Sequence, residues 1–515
     1  MRITNGMINN NTKANIMINK EYSDKLNTMV ANGQKITRPS DDPVIAIRAL
    51  RLNSNISEIN QFYDKNIPDA EAWLQTTETA LSQTESVLSS VQEYLTQGAS
   101  DDNTAQDRMN ILENLRALKD QLYSAGNSDY AGRTVFTGFR TGESLTYKEA
   151  EKDLINIVET FDETCVETMT YISGDFSVDS SSIPDTPTNQ TDITSSDVYR
   201  IRLAYSKLTS DQMGVDGATI PSQFSITMKD GTTKDYSVDV VELSADQATN
   251  DSYYTDIGDD EVRLITTTGE LIIGKNVREA MQSTGSTASF EYSKEEWEKN
   301  DPRPEHYFAC RNYDDASDSI VEYNYDDSTD PSTPDFKNQK ISYEIAYNQK
   351  VDINTNANEV FSTSITRDVD ELLDITQSVI DAEKKVDTLN KMKSDSSYSE
   401  EELKNISTMY DAAVKEFDML KEKMQNMFSK GLTTFKGYSD SVNLRISYVG
   451  SMRARVELTK ERVGEQLSNF KELADSNINA ELTETAIDLK NAELALEAAQ
   501  AAAAKVAKQT LLNYL

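Results

Sequence analysis

Histidine is almost absent from this chain, and so is most of the equipment of catalysis. His306 is the single imidazole in 515 residues, so a histidine-based triad would have no second one for any other role. Two cysteines, Cys165 and Cys310, do not make a disulfide framework and are expected as unpaired thiols. No glycine-rich phosphate loop or dinucleotide fingerprint occurs, and the many aspartates never fall into the spaced calcium-loop pattern. Basic residues are scarce: 51 Lys and Arg stand against 87 Asp and Glu, a net charge of −36. That balance argues against nucleic acid, where phosphate contacts need cationic side chains. It argues equally against an anionic membrane surface. No apolar run approaches the roughly 20 residues that span a bilayer. No basic stretch followed by an apolar one lies near the N-terminus, so export through a cleaved signal peptide is not expected.

Proline is missing from the last 181 residues, and all ten prolines lie between Pro39 and Pro334. An interior proline costs a helix about 3 kcal/mol, so its absence suits long helices. His306 and Cys310 stand four apart, which on a helix would place two metal ligands on one face. However, "DPRPEHYFACRNYDD" does not read as a helix, and a zinc site normally takes four ligands. The expectation is a loop histidine beside a small buried cysteine. Acid pairs such as Asp259-Asp260 and Asp326-Asp327 read as solvated loop charge. No catalytic residue, cofactor or metal ligand is assigned, and no enzyme activity is expected.

What the sequence does contain is period. Ile45, Ala49, Leu52, Ile56, Ile59 and Tyr63 alternate steps of four and three. After Pro68 a second seam runs through Leu74, Thr77, Leu81, Thr84, Leu88, Val91 and Leu95. Ile111, Leu115, Leu118 and Leu122 make a shorter one. In the C-terminal part Leu403, Ile406, Tyr410, Ala413, Phe417, Leu420, Met424 and Met427 keep the same step, and near the end come Leu482, Leu489, Ala492, Leu496, Ala499, Ala503 and Val506. Such stripes predict amphipathic helices packed in coiled-coil fashion.

Residues 151–365 are a different polypeptide. They hold 42 acidic and 16 basic residues, a charge of −26, while the other 300 residues carry only −10. The helical period is lost there. Tyr199, Ile201, Leu203 and Tyr205 alternate as a half-buried strand does. Phe224, Ile226 and Met228, then Tyr236, Val238 and Val240, predict a hairpin turning at Asp230-Gly231. Ile341, Tyr343, Ile345 and Tyr347 face Val351 and Ile353 across another turn. Polar stretches such as "SSSIPDTPTNQTDITSSD" and "DDSTDPSTPD" read as loops.

The expected fold is therefore α+β and multidomain: a long antiparallel coiled-coil bundle from both chain ends, with a central β-rich insertion. Its parts are 1–39, a terminal segment; 40–145, helical; 146–365, the β insertion; 366–478, helical again; and 479–515, a terminal helix. The segment "NGQKITRPSDDPVIAIRAL" joins the first two parts. Gly33 can end a helix in the left-handed conformation. Pro39 and Pro43 stiffen Arg38 to Pro43 and push Arg38 and Asp42 towards extended shapes. Ser40 and Asp41 complete this connector. Asp42 fits an N-cap, with Pro43 at the first helical position. The coiled-coil core is expected at Ile45, Leu52, Ile56, Ile59, Leu74, Leu81, Leu88, Leu95, Leu403, Ile406, Phe417 and Leu420. The two ends carry stripes at Ile18, Tyr22, Leu26 and Met29, and at Leu482, Leu489, Leu496 and Ala503. Within one chain these have little else to pack on, so they are expected to order against neighbouring subunits.

The start "MRIT", the connector "TRPSDDPVIAIRAL" and "SAGNSDYAGRTVFTGFRTG" at 124–142 resemble the flagellar hook-associated protein 3 family, relatives of flagellin. "ISYEIAYNQKVDINTNANEVF" at 341–361 looks like that family's return from the β part to the helices, and the tail "ALEAAQAAAAKVAKQTLLNYL" is similar in both groups. The resemblance spans about 1–145 and 341–515; the middle is unfamiliar. It implies a structural part of the bacterial flagellum, exported unfolded without a cleaved signal and lying outside the cell at the hook–filament junction. The implied partners are further copies of the same chain in a ring, an adjacent hook-associated protein, flagellin, and an export chaperone on the C-terminal helix. Flagellin itself is the alternative reading. A secreted adhesin or carbohydrate-binding protein acting through the β insertion is a third.

Overall fold

The computed structural model describes residues 5–100, 102–209, 223–314, 319–324 and 339–512. "MRIT" and the whole of "DDSTDPSTPD", with Asp326-Asp327, lie outside them. The chain divides into two compact units. One comprises 1–71, 343–351 and 454–515, the other 72–342 and 352–453.

Helices come first: α1 Asn5–Asn32, α2 Pro43–Gln61, α3 Ile67–Gly98 and α4 Ala105–Gly126. Strands β1 Asp129–Tyr130 and β2 Arg133–Thr134 form a small hairpin. Then follow β3 Glu151–Asp162, β4 Glu167–Ser173, β5 Thr194–Arg202, β6 Gln223–Thr227 and β7 Thr233–Val241. After α5 Gln247–Thr255 come β8 Val262–Ile265, β9 Glu270–Ile273, α6 Lys275–Met281, β10 Thr287–Trp297, β11 Ala309–Asp314 and β12 Ser319–Tyr323. The chain returns through β13 Ser342–Ala346 and β14 Gln349–Asp352 to α7 Thr363–Lys393, α8 Glu400–Ile478 and α9 Leu482–Leu512. The class is α+β, with a large sheet in the middle and helices at both ends.

Helices α2 and α3 run on through a π-helical turn at Phe62–Asn66, where Ile67 N–H bonds Phe62 C=O. The wider turn precedes Pro68, which has no N–H to give. In α3, Leu74, Leu81, Leu88 and Leu95 are buried. In α8, Ile406 is buried, while Leu403, Phe417 and Leu420 are half-buried. Beyond Met424 a second repeat takes over: Phe428, Phe435, Val442, Val449, Val456 and Val463, every seventh residue, are all at most 1% exposed. The sequence reading stopped at Met427 and missed it. Phe428 lies against Gly98 and Leu95 against Gly431, so these two helices meet with glycines as sockets.

The ten described strands of the large sheet run in the order β12-β11-β3-β10-β6-β7-β8-β9-β5-β4. The expected hairpin is β6–β7: Phe224 stands opposite Tyr236, and Gly231 turns at φ +83°. Tyr147 stacks on Trp297 at 5.0 Å in the sheet's core.

Candidate assembly interface

The first unit holds the chain's two ends. Helix α1 stops at Gly33, whose φ is +68° and whose N–H bonds Met29 C=O at 2.8 Å. The connector then winds around its own acids. Asp41 Oδ2 accepts from the N–H groups of Arg38 (2.8 Å) and Thr37 (3.1 Å), which holds its carboxyl below the usual range. Asp42 Oδ1 accepts from Val44 N–H (2.9 Å) and Ile45 N–H (3.2 Å), with Pro43 opening α2. Alongside runs the α8–α9 junction. Lys35 N–H bonds Ile478 C=O at 2.7 Å, and Ala480 N–H bonds Gly33 C=O at 2.8 Å.

Helix α1 packs on α9 within the one chain. This corrects the expectation that the ends lack a partner: each supplies the other's. It also moves the stripe on α1. The covered positions are Thr12, Ile16, Asn19, Ser23, Leu26 and Val30, in steps of four and three, with Met29 half-buried beside them. Ile18 and Tyr22 are instead 62% and 52% exposed. Half of the covered α1 seam is polar, so hydrophobicity alone pointed to the wrong face. On α9, Thr485 and Ala492 are buried and Leu489, Leu496 and Ala503 half-buried, whereas Leu482 is 56% exposed. Met17, Ile487 and Leu494 are exposed too. Both ends thus have one stripe covered and further apolar residues open to solvent.

Helix α2 repeats the arrangement. Ala46 and Ala49 are buried, and Ile45, Leu52, Ile56 and Ile59 are half-buried, but Val44, Ile47 and Leu50 face solvent. That second row consists of apolar residues three apart in the sequence, beside the stronger seam through Ile45 and Ala49.

The second unit joins its sheet to its helices by charge. Arg200 on β5 reaches Glu167 (3.0 Å), Glu270 and, on α7, Glu371 (2.8 Å). Arg202 bridges Glu167 (2.8 Å) and Asp368 (2.7 Å). Burial raises Glu371, but the two guanidiniums outweigh it and hold it below the ordinary range. Glu159 is buried, accepts from Tyr292 and Ala204 N–H, and is pushed up to about 7 by its desolvation. These buried charges escaped the sequence reading because their partners lie far apart in the chain.

His306 ends a 3₁₀ turn, Pro304–His306, and Cys310 lies in β11, so no helix pairs them. Both cysteines are free; burial pushes the Cys165 thiol up to about 11 and raises the Cys310 thiol as well. Among the described residues no helix is long and apolar enough to cross a membrane.

Comparison with known proteins finds a match at the N-terminal helices. Residues 3–141 match the bacterial flagellin N-terminal helical region. Flagellar hook-associated protein 3 of Salmonella typhimurium is 28% identical over 152 residues, 29% of this chain and 47% of that one. A flagellin of Clostridium tyrobutyricum is 26% identical over 143 residues, 28% of this chain and 38% of that one. The matched stretches thus span less than half the length of these relatives. A solved structure of FlgL from Xanthomonas campestris aligns over 81% of this chain and 99% of its own, at 11% identity and a TM-score of 0.23. Through residues 3–141 the chain is thus similar to the bacterial flagellin N-terminal helical region, and over a shorter share of its length to flagellar hook-associated protein 3 and to flagellin.

Proposed function

We propose that the chain is a structural, non-enzymatic subunit of the flagellum, placed outside the cell between a hook-side hook-associated protein and the flagellin filament. The carrying observation is the two-sided character of the terminal helices. Helices α1 and α9 cover one stripe with each other, yet leave Met17, Ile18, Tyr22, Leu482, Ile487 and Leu494 exposed. A monomer gains nothing from that second set; neighbouring copies in a ring would bury it. In this reading 1–39 and 479–515 are the axial segments, 40–145 and 366–478 form an antiparallel coiled coil, and 146–365 is an outer insertion. Export proceeds without a cleaved signal, with a chaperone covering the C-terminal helix until assembly.

The relative from Clostridium tyrobutyricum keeps flagellin as the second reading. Immunogold labelling of flagella from the source cells separates the two. A single band at the hook end supports the junction protein, label along the filament supports flagellin, and unlabelled flagella would sink both.

A further inference from the structure

Glu143, Glu305 and His306 each offer a ligand atom, and these atoms lie within 4.8 Å of one another. They come from two separate segments. Glu143 closes the loop that follows β2, while Glu305 and His306 are neighbours in the Pro304–His306 turn. The turn is held firmly from outside the cluster. Its Glu305 C=O accepts from Arg140 Nη1 (2.8 Å) and from Asn324 Nδ2 (2.7 Å).

The side chains are less well provided for. His306 Nε2 lies 3.3 Å from Ser144 C=O, an acceptor, so the ring proton belongs on that nitrogen. Among the described residues that leaves the Nδ1 lone pair without a partner, and a carbonyl on the other ring nitrogen is how metal-binding histidines are oriented. Glu305 is 5% exposed, yet among the described residues the one hydrogen-bond donor to its carboxylate is Arg303 Nη1, at 3.4 Å. That guanidinium also packs over Tyr147 and lies 3.7 Å from Glu151. Arg140 is spent on a carbonyl and on the Tyr323 ring, 4.3 Å away. A buried carboxylate with one long contact is under-compensated, and a cation is the remedy chemistry offers.

We propose that Glu143, Glu305 and His306 bind one divalent transition-metal ion of the zinc type, with water completing its shell. One imidazole and two carboxylates suit such an ion. Ligands on a tetrahedral zinc stand about 3.4 Å apart at bond lengths of about 2.1 Å. The three ligand atoms already lie within 4.8 Å of one another, and Glu143 is exposed. The ion clasps the β2 loop to the turn that leads into β11, and so acts on stability.

Because His306 is the only histidine, the tag-free, chelator-stripped full chain reports on it directly. Zn²⁺ titrated calorimetrically with millimolar Mg²⁺ present should saturate at one ion per chain and raise Tm. Co²⁺ should give a visible spectrum without thiolate charge transfer. Glu143→Gln, at an exposed position, should leave the apo Tm unchanged and weaken Zn²⁺ about tenfold or more. His306→Gln should abolish the Co²⁺ spectrum. Absence of saturable one-to-one Zn²⁺ binding, or binding that Glu143→Gln leaves untouched, overturns the proposal.

Discussion

Replacing Gly98 by alanine sets two rules against each other. Helix propensity alone makes glycine-to-alanine stabilising by about 0.5–1 kcal/mol. Packing says the reverse. A Cβ placed on Gly98 would sit 2.1 Å from Cδ1 and 2.2 Å from Cε1 of Phe428, a ring only 1% exposed. Overpacking of that kind costs about 1–3 kcal/mol, so the net change should be destabilising by about 1–2 kcal/mol. Phe428→Ala alone removes a fully buried ring and should cost about 3–5 kcal/mol. In the double variant the new methyl enters the space the ring leaves. The two losses should therefore fall short of additive by about 1 kcal/mol or more. Urea unfolding of all four proteins, followed by helical circular dichroism and by the fluorescence of the buried Trp73 and Trp297, measures the cycle. A stabilised Gly98→Ala, or strict additivity, would refute the glycine-socket pairing of α3 with α8.

Asp42→Ala removes the acceptor for two backbone N–H groups and should cost about 1 kcal/mol, with Asp42→Asn close to wild type in the same denaturation assay. Ile18→Ser with Tyr22→Ser should leave Tm within a degree or two but abolish filament growth in a strain lacking the protein. Leu26→Ala should lower the stability of the helix pair itself, read as faster proteolysis of both ends. Glu159 is raised in the folded state above its unfolded 4.5, so its contribution is present at low pH and is lost as pH rises through about 7. Wild-type stability should fall by up to about 3 kcal/mol between pH 5 and 8, and Glu159→Gln should flatten that slope. An unchanged slope in the variant would assign the effect elsewhere.

What could be read in advance was what local chemistry writes. Leu74, Leu81, Leu88 and Leu95 announce their seam by side chain alone, and Gly33, Asp42 and Pro43 announce a stop and a start. The valines from Val442 to Val463 keep the same beat, but valine is an indifferent helix former and the run was overlooked. The α1 seam was misplaced because Thr12, Asn19 and Ser23 are small polar residues that let two helices approach, while Ile18 and Tyr22 carry the hydrophobicity to the surface. Arg200 could not be foreseen as buried, since Glu270 and Glu371 stand 70 and 171 residues away. His306 was judged against Cys310 by sequence distance, when its neighbour in space, Glu143, lies more than 160 positions back.

At Gly33–Lys35 and Ile478–Ala480 the outgoing and returning chains lie side by side, tied by two backbone hydrogen bonds. A single strand at that level would be a swivel. Two tied strands make a strap, which flexes about one axis and resists being wound about its length. A load that bends the terminal helix pair can be absorbed there, whereas a twisting load must either be passed on or break the ties. Cutting one strand, by a nick at the connector, would turn the strap back into a swivel without removing a residue.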